Sequence, residues 1–545
     1  MDRKSLIIGA SLGVVTSLAV IGLMYLGWQW FEFPFVPFDI FDWMARALPG
    51  DIVTFGIDTI VGLIDALGIG NTSSTAKLIE QAIAVGQLVM GGALFGAAVA
   101  YFGQRNSKSA PVYGSIGGLL LLAATLYIEN YLNNLEEGIA LGAVWLAILL
   151  VGWGWVLGGF IRDAGPSLSG ESEAPMTRRQ FLGVAGAGSL AVGIASLGLG
   201  SLFGKGSSQA TATPVESPDP IDGDPFGASL TSGEAVSPSP EELASRPGAV
   251  PGTRPELTRT KDFYRIDINV GPVPSISTSD WRLVIGGLVE NELELTMDEL
   301  REMPSVTQIL TMQCISNSIG GDLTGTTRWT GVRFKDVLAK AGLMPEAKEA
   351  FIRSADDFFE GVKMDDIMDD RTLLVYEMDG LPLPEKHGYP LRIYIPNRYG
   401  MKQPKWIESI HMVDEEVKGY WVIRGWSKNA YVRTTSVVDT VQVDMLSESD
   451  VENVAAGGIA WAGARGISKV EVQVDDGAWE QAELRSPPLS PLSWVQWRYY
   501  WSDYQPGKHE FRVRCYDGDG QLQITEDGPP RPDGATGIHS YPVRI

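Results

Sequence analysis

The chain has two cysteines, Cys314 and Cys515, and four histidines, so any redox chemistry starts from very few side chains. Counting alone excludes a disulfide framework, a four-cysteine zinc site and a cysteine-ligated iron–sulfur cluster. Cys314 stands in Thr311-Met312-Gln313-Cys314-Ile315-Ser316-Asn317, directly after the strand-like run Thr307–Met312. A lone thiol at a strand end suits two roles: an inert packed side chain, since free cysteine is among the most buried residue types, or a soft ligand offered to a metal. Two later segments bear on that choice. His387-Gly388-Tyr389-Pro390-Leu391-Arg392 and Tyr399-Gly400-Met401-Lys402-Gln403-Pro404-Lys405-Trp406 put a His, an Arg and a Lys beside the strand-like Leu391–Ile395. Such donors suit a phosphate and a polar heterocycle. Cys515 lies inside the strand-like His509–Tyr516 with no second thiol near it in sequence, and reads as inert.

The elements around these residues change character along the chain. Strand-like runs such as Trp281–Ile285 and Leu391–Ile395 alternate with helical ones such as Phe334–Ala341, and Thr296-Met297-Asp298-Glu299 has the spacing of a helix-entry capping box. Residues 257–436 therefore read as an α+β domain. From 437 to 545 short strands follow at close spacing, Val470–Val474, Trp494–Trp501 and His509–Tyr516, broken by turn sequences such as Asp475-Asp476-Gly477 and Asp517-Gly518-Asp519-Gly520. That pattern predicts a β-sandwich. Residues 205–256 are rich in Ser, Thr, Pro, Gly and Asp without apolar periodicity, and predict a disordered linker.

Residues 1–204 are a membrane region. Leu6–Trp28, Leu78–Phe102, Val112–Leu132, Gly138–Ile161 and Phe181–Phe203 are each long and apolar enough to cross a hydrocarbon core of about 30 Å, which gives about five transmembrane helices. Between the first two, Asp39, Asp42, Asp51, Asp58 and Asp65 interleave with apolar residues as in amphipathic helices at an interface. Arg3, Lys4, Arg105, Lys108, Arg162, Arg178 and Arg179 all fall on one side of such a bundle, so that side is cytoplasmic and everything after Gly204 is extracytoplasmic. The protein reads as a multi-pass protein of the cell membrane. Thr177-Arg178-Arg179-Gln180-Phe181-Leu182-Gly183 looks like a twin-arginine export signal, a route that carries folded proteins. The same two arginines also obey the positive-inside rule. The net charge is −23, from 43 Lys+Arg against 66 Asp+Glu, with no basic run, so nucleic acid is not an expected partner. No histidine precedes His387, so the helices cannot ligate haem through histidine and no haem is expected within this chain.

Taken together, the Cys314 segment, the His387–Arg392 segment, the Tyr399–Trp406 segment and Leu374-Val375-Tyr376-Glu377-Met378-Asp379-Gly380 resemble the sulfite oxidase family of molybdopterin-dependent oxidoreductases over about residues 260 to 545. The resemblance implies a molybdenum-molybdopterin cofactor with Cys314 as the metal ligand. It implies that His387, Arg392 and Lys405 hold the pterin and its phosphate, and that Ser354 or Asp356 makes a further pterin contact. Phe263-Tyr264-Arg265 matches the family's entry segment, which puts Tyr264 at the cofactor and Arg265 toward the metal-bound oxygens. The C-terminal sandwich corresponds to an immunoglobulin-like dimerisation-type domain, so a homodimer is expected. The family's active-site tyrosine falls on Trp426.

Two departures bear on substrate. The family holds sulfite with several arginines; Ile319 occupies one such position, five residues beyond Cys314, and Asp533 aligns with another. The reading that follows is a membrane-anchored extracytoplasmic oxidoreductase carrying out two-electron oxygen-atom transfer on a small substrate other than sulfite. The alternatives are a sulfite dehydrogenase, an enzyme like protein-methionine-sulfoxide reductase, or a non-catalytic membrane-anchored binding protein. With no haem of its own, the enzyme needs an electron-transfer partner, a cytochrome or a quinone-linked membrane protein. The export reading has a direct test. Changing Arg178 and Arg179 together to lysine should leave the catalytic part inside, protected from protease added to spheroplasts, whereas undiminished cleavage would assign the pair to topology alone.

Overall fold

The computed structural model describes residues 3–31, 33–67, 72–104, 106–132, 139–164, 187–197, 238–445, 452–502 and 504–545. It divides into two compact units, one of Met1–Leu48 with Ala76–Glu216 and one of Pro49–Thr75 with Ser217–Ile545. Before residue 165 the described helices are α1 (Arg3–Phe31), α2 (Val36–Ala47), α3 (Gly50–Leu67), α4 (Thr72–Gly103), α5 (Ala110–Tyr131) and α6 (Ile139–Ala164). Among the described residues four helical stretches are long and apolar enough to cross a membrane: Arg3–Phe31, Thr72–Gly103, Ser107–Tyr131 and Leu141–Ala164. Of the fifth expected span, Phe181–Phe203, the structure describes the apolar helix α7 (Ala187–Leu197). Its flanks, Arg178 and Arg179 included, lie outside the described residues.

Small residues bring the long helices together. A Cβ on Gly13 of α1 would stand 1.9 Å from the Gly92 carbonyl oxygen of α4, and one on Gly114 of α5 would stand 1.9 Å from that of Gly154 in α6, so these backbones touch. Close backbone approach is what drives helix association where lipid offers no hydrophobic contrast. Trp153 Nε1 of α6 donates to Thr16 Oγ1 of α1 at 2.8 Å, satisfying a polar group that hydrocarbon would leave bare.

The second unit begins, among its described C-terminal residues, earlier than composition suggests. Ser239 and Glu242 form a capping box for α8 (Pro240–Ala244), Arg246 pairs with Glu256 at 2.5 Å, and Val250 is buried at 3% exposure. Arg485 Nε also reaches Glu256, at 3.2 Å, and Arg254 Nε binds Asp439 at 2.8 Å. The disordered linker expected over 205–256 therefore does not run to its end. Proline and serine there serve caps and turns, and charge pairs anchor the segment to the C-terminal strands; residues 205–237 lie outside the described residues.

Two five-stranded sheets follow. The first has the order β2 (Leu293–Leu295), β1 (Leu283–Gly287), β10 (Ile407–Val413), β5 (Glu349–Ser354), β6 (Phe359–Lys363). The second runs β3 (Ser305–Gln313), β4 (Thr324–Arg333), β7 (Leu373–Met378), β8 (Leu381–Pro382), with β9 (Arg392–Tyr394) also on β7. Helices here are short: α9 (Met297–Glu302), entered through the expected Thr296/Glu299 capping box, and α10 (Phe334–Ala341). Strands thus outweigh helices more than an α+β reading implies. Leu283 and Ile285, Val332, Ile352, Leu374, Ile393 and Ile410 from both sheets share one core with Phe334, Val337 and Leu338 of α10.

The C-terminal strands form two four-stranded sheets. One is β11 (Thr435–Met445), β12 (Glu452–Trp461), β16 (Val495–Trp501), β15 (Glu483–Leu484); the other is β14 (Glu480–Gln481), β13 (Ile467–Val474), β17 (Lys508–Asp517), β18 (His539–Arg544). Val454, Ala456 and Trp497 of the first meet Val470, Val472, Phe511, Val513 and Cys515 of the second in a common core. Alternate residues point inward on each strand, as two packed sheets require.

Candidate functional site

Cys314 is placed by the β3–β4 ladder. The register runs from Ser305 opposite Val332 to Gln313 opposite Thr324, and the Cys314 amide adds one more rung by donating to the Leu323 carbonyl at 2.9 Å. Asn317 Oδ1 accepts from the Leu323 amide at 2.8 Å, closing the intervening loop. The thiol is buried, with Sγ 3.0 Å from Ser316 Oγ, and burial pushes its pKa up. Cys515 is buried in the sandwich core, its pKa pushed up to about 12 by burial, as an inert thiol should be.

Strand pairing also delivers the basic residues. β9 pairs with β7 through Arg392 opposite Val375, which brings Arg392 into the sheet that carries Cys314. Its guanidinium donates to the His387 carbonyl at 3.0 Å, contacts Met312 Sδ at 3.3 Å, and lies 5.0 Å from the Trp329 ring centre. In the other sheet β10 pairs with β5 through Ile407 opposite Ser354, so Ser354 ends one strand beside the segment that carries Lys405. Gly388, at φ +111, lets the chain turn here: a Cβ would meet Lys405 Cβ at 3.0 Å and Arg392 Cβ at 3.1 Å. Phe263 stacks on Tyr264 at 5.5 Å and meets the His387 ring edge-on at 5.7 Å. Phe263, Tyr264, Met312 and Cys314 share one buried cluster.

The charges of this region are costly as they stand. Lys405 is pulled down to about 8, first by burial and then by Arg392 and Arg265, with Asp267 opposing. Arg392 is lowered to about 10 by burial, and His387 lies well below its ordinary value through burial and the charges of Lys405, Lys386 and Arg392, so it is neutral near pH 7. Asp356, hydrogen-bonded to Asn269 Nδ2 at 3.1 Å, is raised to about 6 by burial against the pull of Lys405. Among the described residues, His387 Nε2, Arg392 Nε and Ser354 Oγ are buried without a hydrogen-bond partner. Buried polar atoms of that kind cost about 1–3 kcal/mol each unless something meets them. A group with phosphate oxygens and a polar ring would meet them, so the residues present fit a molybdopterin.

Arg265 pairs with a neighbouring carboxylate. Its Nε donates to Asp267 Oδ2 at 2.6 Å, and Lys405 Nζ donates to the same oxygen at 3.2 Å. The Arg265 and Lys405 side chains thus share one anion. Trp426 sits apart from that cluster, buried with Ile315, Tyr399 and Met401 on the far side of Cys314 in sequence, and its Nε1 has no partner. The Tyr399 hydroxyl accepts from the Arg433 amide at 3.0 Å. A cleft of 340 Å³ opens beside this side, lined by Ser318, Ile319, Asp527, Gly528, Pro529, Pro530, Ala535 and Thr536. Sequence reasoning missed Asp267, Asn317 and Tyr399. Asp267 and Asn317 follow Arg265 and Cys314 within three residues, a proximity that could have flagged them, whereas Tyr399 reaches Arg433 only through the tertiary fold.

The buried thiol at a strand end and the unpartnered polar atoms leave room for a polar, anionic ligand in this region. Residues 270–421, which contain Cys314, Ser354, His387, Arg392 and Lys405, match the model of the oxidoreductase molybdopterin binding domain. The mitochondrial sulfite oxidase of Macaca fascicularis is 28% identical over 307 residues, covering 47% of this chain and 55% of that protein. The putative protein-methionine-sulfoxide reductase subunit YedZ1 of Azospira oryzae is 30% identical over 174 residues, covering 32% of this chain and 64% of that one. The solved sulfane dehydrogenase SoxCD from Paracoccus pantotrophus aligns at 21% identity and a TM-score of 0.47, covering 60% and 92% of the two chains. Residues 270–421 are thus a molybdopterin-binding oxidoreductase domain, and the chain is similar to sulfite oxidases around it. It spans about half the length of the sulfite oxidase it matches.

Asp356 gives a pH signature. A carboxyl whose folded pKa is raised stabilises the fold fully below its unfolded value and loses that contribution as pH rises through the folded one. The window for Asp356 runs from 3.8 to about 6. In cofactor-free protein, urea unfolding should show stability falling across that window by up to about 3 kcal/mol more than in Asp356→Asn. Parallel curves would place the titration elsewhere.

Proposed function

We propose that the protein is a membrane-anchored, multi-pass molybdopterin enzyme with its catalytic part on the extracytoplasmic side. It performs two-electron oxygen-atom transfer on a small substrate that is not a dianion. The observation that carries this reading is the pair of buried polar atoms without a partner among the described residues, His387 Nε2 and Arg392 Nε, beside the strand that runs up to Cys314. When bound, the molybdenum centre supplies the two-electron redox change and the oxygen-atom exchange. Cys314 is its protein ligand, a thiolate suited to a soft site. His387, neutral, hydrogen-bonds the pterin; Arg392 and Lys405 balance the phosphate charge; Ser354 offers its hydroxyl. His387 Nε2, Arg392 Nε and Ser354 Oγ each gain a partner, and Lys405, lowered to about 8 by its surroundings, is returned toward its ordinary value by an anion.

On the substrate side, Ile319, Pro529, Pro530 and Ala535 make the cleft apolar, and Asp527 is the charged residue in its lining. Stripping water from a sulfite dianion against an apolar wall and a carboxylate costs several kcal/mol without convergent cations. A sulfoxide or another neutral oxo compound avoids that cost. One observation favours sulfite instead. An Arg531 guanidinium nitrogen lies 2.9 Å from where a Cβ of Gly425 would stand, next to Trp426, so a cation from the C-terminal part approaches the site two residues before the aligned Asp533. The two electrons and two protons that reduction of a sulfoxide to a sulfide and water consumes are supplied through a cytochrome or a quinone-linked membrane protein, which sulfite oxidation would instead reduce, and the sandwich pairs two copies, as in the dimerisation-type reading of its sequence.

Two measurements decide the reading. Cys314→Ser should remove one sulfur from the molybdenum shell seen by X-ray absorption and abolish turnover, while Cys515→Ser leaves both unchanged; an unaltered metal shell in Cys314→Ser would refute the ligand. With an artificial electron carrier, kcat/KM for a neutral sulfoxide should exceed that for sulfite at least about tenfold, about 1.4 kcal/mol in the transition state. Efficient sulfite oxidation that is lost in Arg531→Ala would establish the sulfite reading.

A further inference from the structure

α3 lies between apolar spans in sequence, yet it packs in the unit that holds the candidate site. Its first residue rests on the Val422–Arg424 turn. A Cβ on Gly50 would stand 2.7 Å from Arg424 Cα and 3.1 Å from Arg424 Cβ, so the two backbones are in contact and a side chain would force them apart. At the other end the amide of Thr72, the first residue of α4, donates to Asp322 Oδ2 at 3.0 Å. First-turn amides have no partner within their own helix, and a carboxylate from elsewhere satisfies one and favours the helix dipole. Asp322 precedes Leu323, the residue that closes the Cys314 loop, and Arg424 stands two residues before Trp426. One stretch of chain thus contacts both the loop after Cys314 and the turn before Trp426.

The free face of α3 is apolar. Ile52, Phe55 and Leu63 are 54%, 72% and 52% exposed. At about 100° per residue they fall with Thr59 on one stripe, and Ile64, on the other side, is buried. Ile423, in the turn that Gly50 grips, is 53% exposed as well. Exposed apolar residues that continue from a helix into its clamped neighbour mark an interaction surface. Chain continuity names the occupant: α3 ends at Leu67 and a membrane-length helix starts at Thr72, so α3 lies within a few residues of the lipid boundary.

We propose that α3 is a membrane-seated strap. Its Ile52–Phe55–Leu63 face lies in the acyl and headgroup boundary, and its grips at Arg424 and Asp322 fix the mouth of the candidate site, with Ile423, at the lipid surface. This rests on reading the Cys314 surroundings as the active site, and it makes a lipid-borne electron carrier the more accessible partner.

The test uses the full chain in phospholipid nanodiscs, with spin labels on Phe55→Cys, Leu63→Cys, Ile423→Cys and, as a control on the same unit, Met368→Cys, which is 47% exposed. Labels at 55, 63 and 423 should collide with oxygen, relative to a water-soluble nickel chelate, at least about threefold more than the label at 368. Equal ratios at all four positions would overturn the lipid face. Labels shielded from both reagents, or broadened by a second label, would place protein on it and overturn it equally. Asp322→Ala should speed hydrogen exchange of the Thr72 amide at least about tenfold, and unchanged exchange would remove the second grip. Cys314→Ser, which tests the site itself, should leave the lipid signature unaltered, so failure of the strap and failure of the site are distinguishable.

Discussion

Positive charge buried without its counter-charge organises the catalytic half of this protein. Arg392 is fully enclosed between neutral partners, the His387 carbonyl, the Met312 sulfur and the Trp329 face, and burial lowers it to about 10. Lys405 and Arg265 share one carboxylate, Asp267. Taking a cation out of water costs several kcal/mol unless it is paired. Such an arrangement suits an anionic ligand, and the strands nearby hold the cations in place.

Two ladders do the holding. β3 and β4 run in unbroken register to the loop that begins at Cys314, and β5 and β10 bring Ser354 next to the strand that follows Lys405. Strand ends are good places for such groups, because the ladder fixes the backbone while the side chains beyond it stay unpaired. Buried apolar residues behind both sheets, with Phe334 of α10 at their centre, make the positions rigid. The membrane-length helices solve a different problem by different means. There glycine against glycine supplies contact that side chains would prevent.

The sandwich contributes to the site as well as to the core it shares. Leu492 accepts from the Thr311 amide at 3.0 Å, and the Trp494 amide donates to Thr311 Oγ1 at 2.9 Å, so β3 is tied from behind three residues before the thiol. Pro529, Pro530 and Ala535 then line the cleft from the same half of the chain. The region that reads in sequence as a docking module therefore also supports the strand that leads to Cys314.

The sequence by itself determined the membrane-length helices, the two-part division of the rest, and the identity of the chemical groups. Those rest on local signals: apolar length, the Thr296–Glu299 capping box, alternating strands, and the ordered spacing of Cys314, His387, Arg392 and Lys405. Their resemblance to a known family added the cofactor. The tertiary structure alone decided which charges meet. Arg265 turns to Asp267, and Ser239–Glu256 joins the folded part, because carboxylates distant or unremarked in sequence stand within reach. Tyr399 joins the Cys314 side through Arg433 and Trp426, and Arg531, two residues before Asp533, reaches Gly425. The reason is physical. Periodicity and spacing report which face of an element is buried, but an ion pair or a closed loop depends on a partner that the chain brings near only by folding, over separations no local pattern encodes.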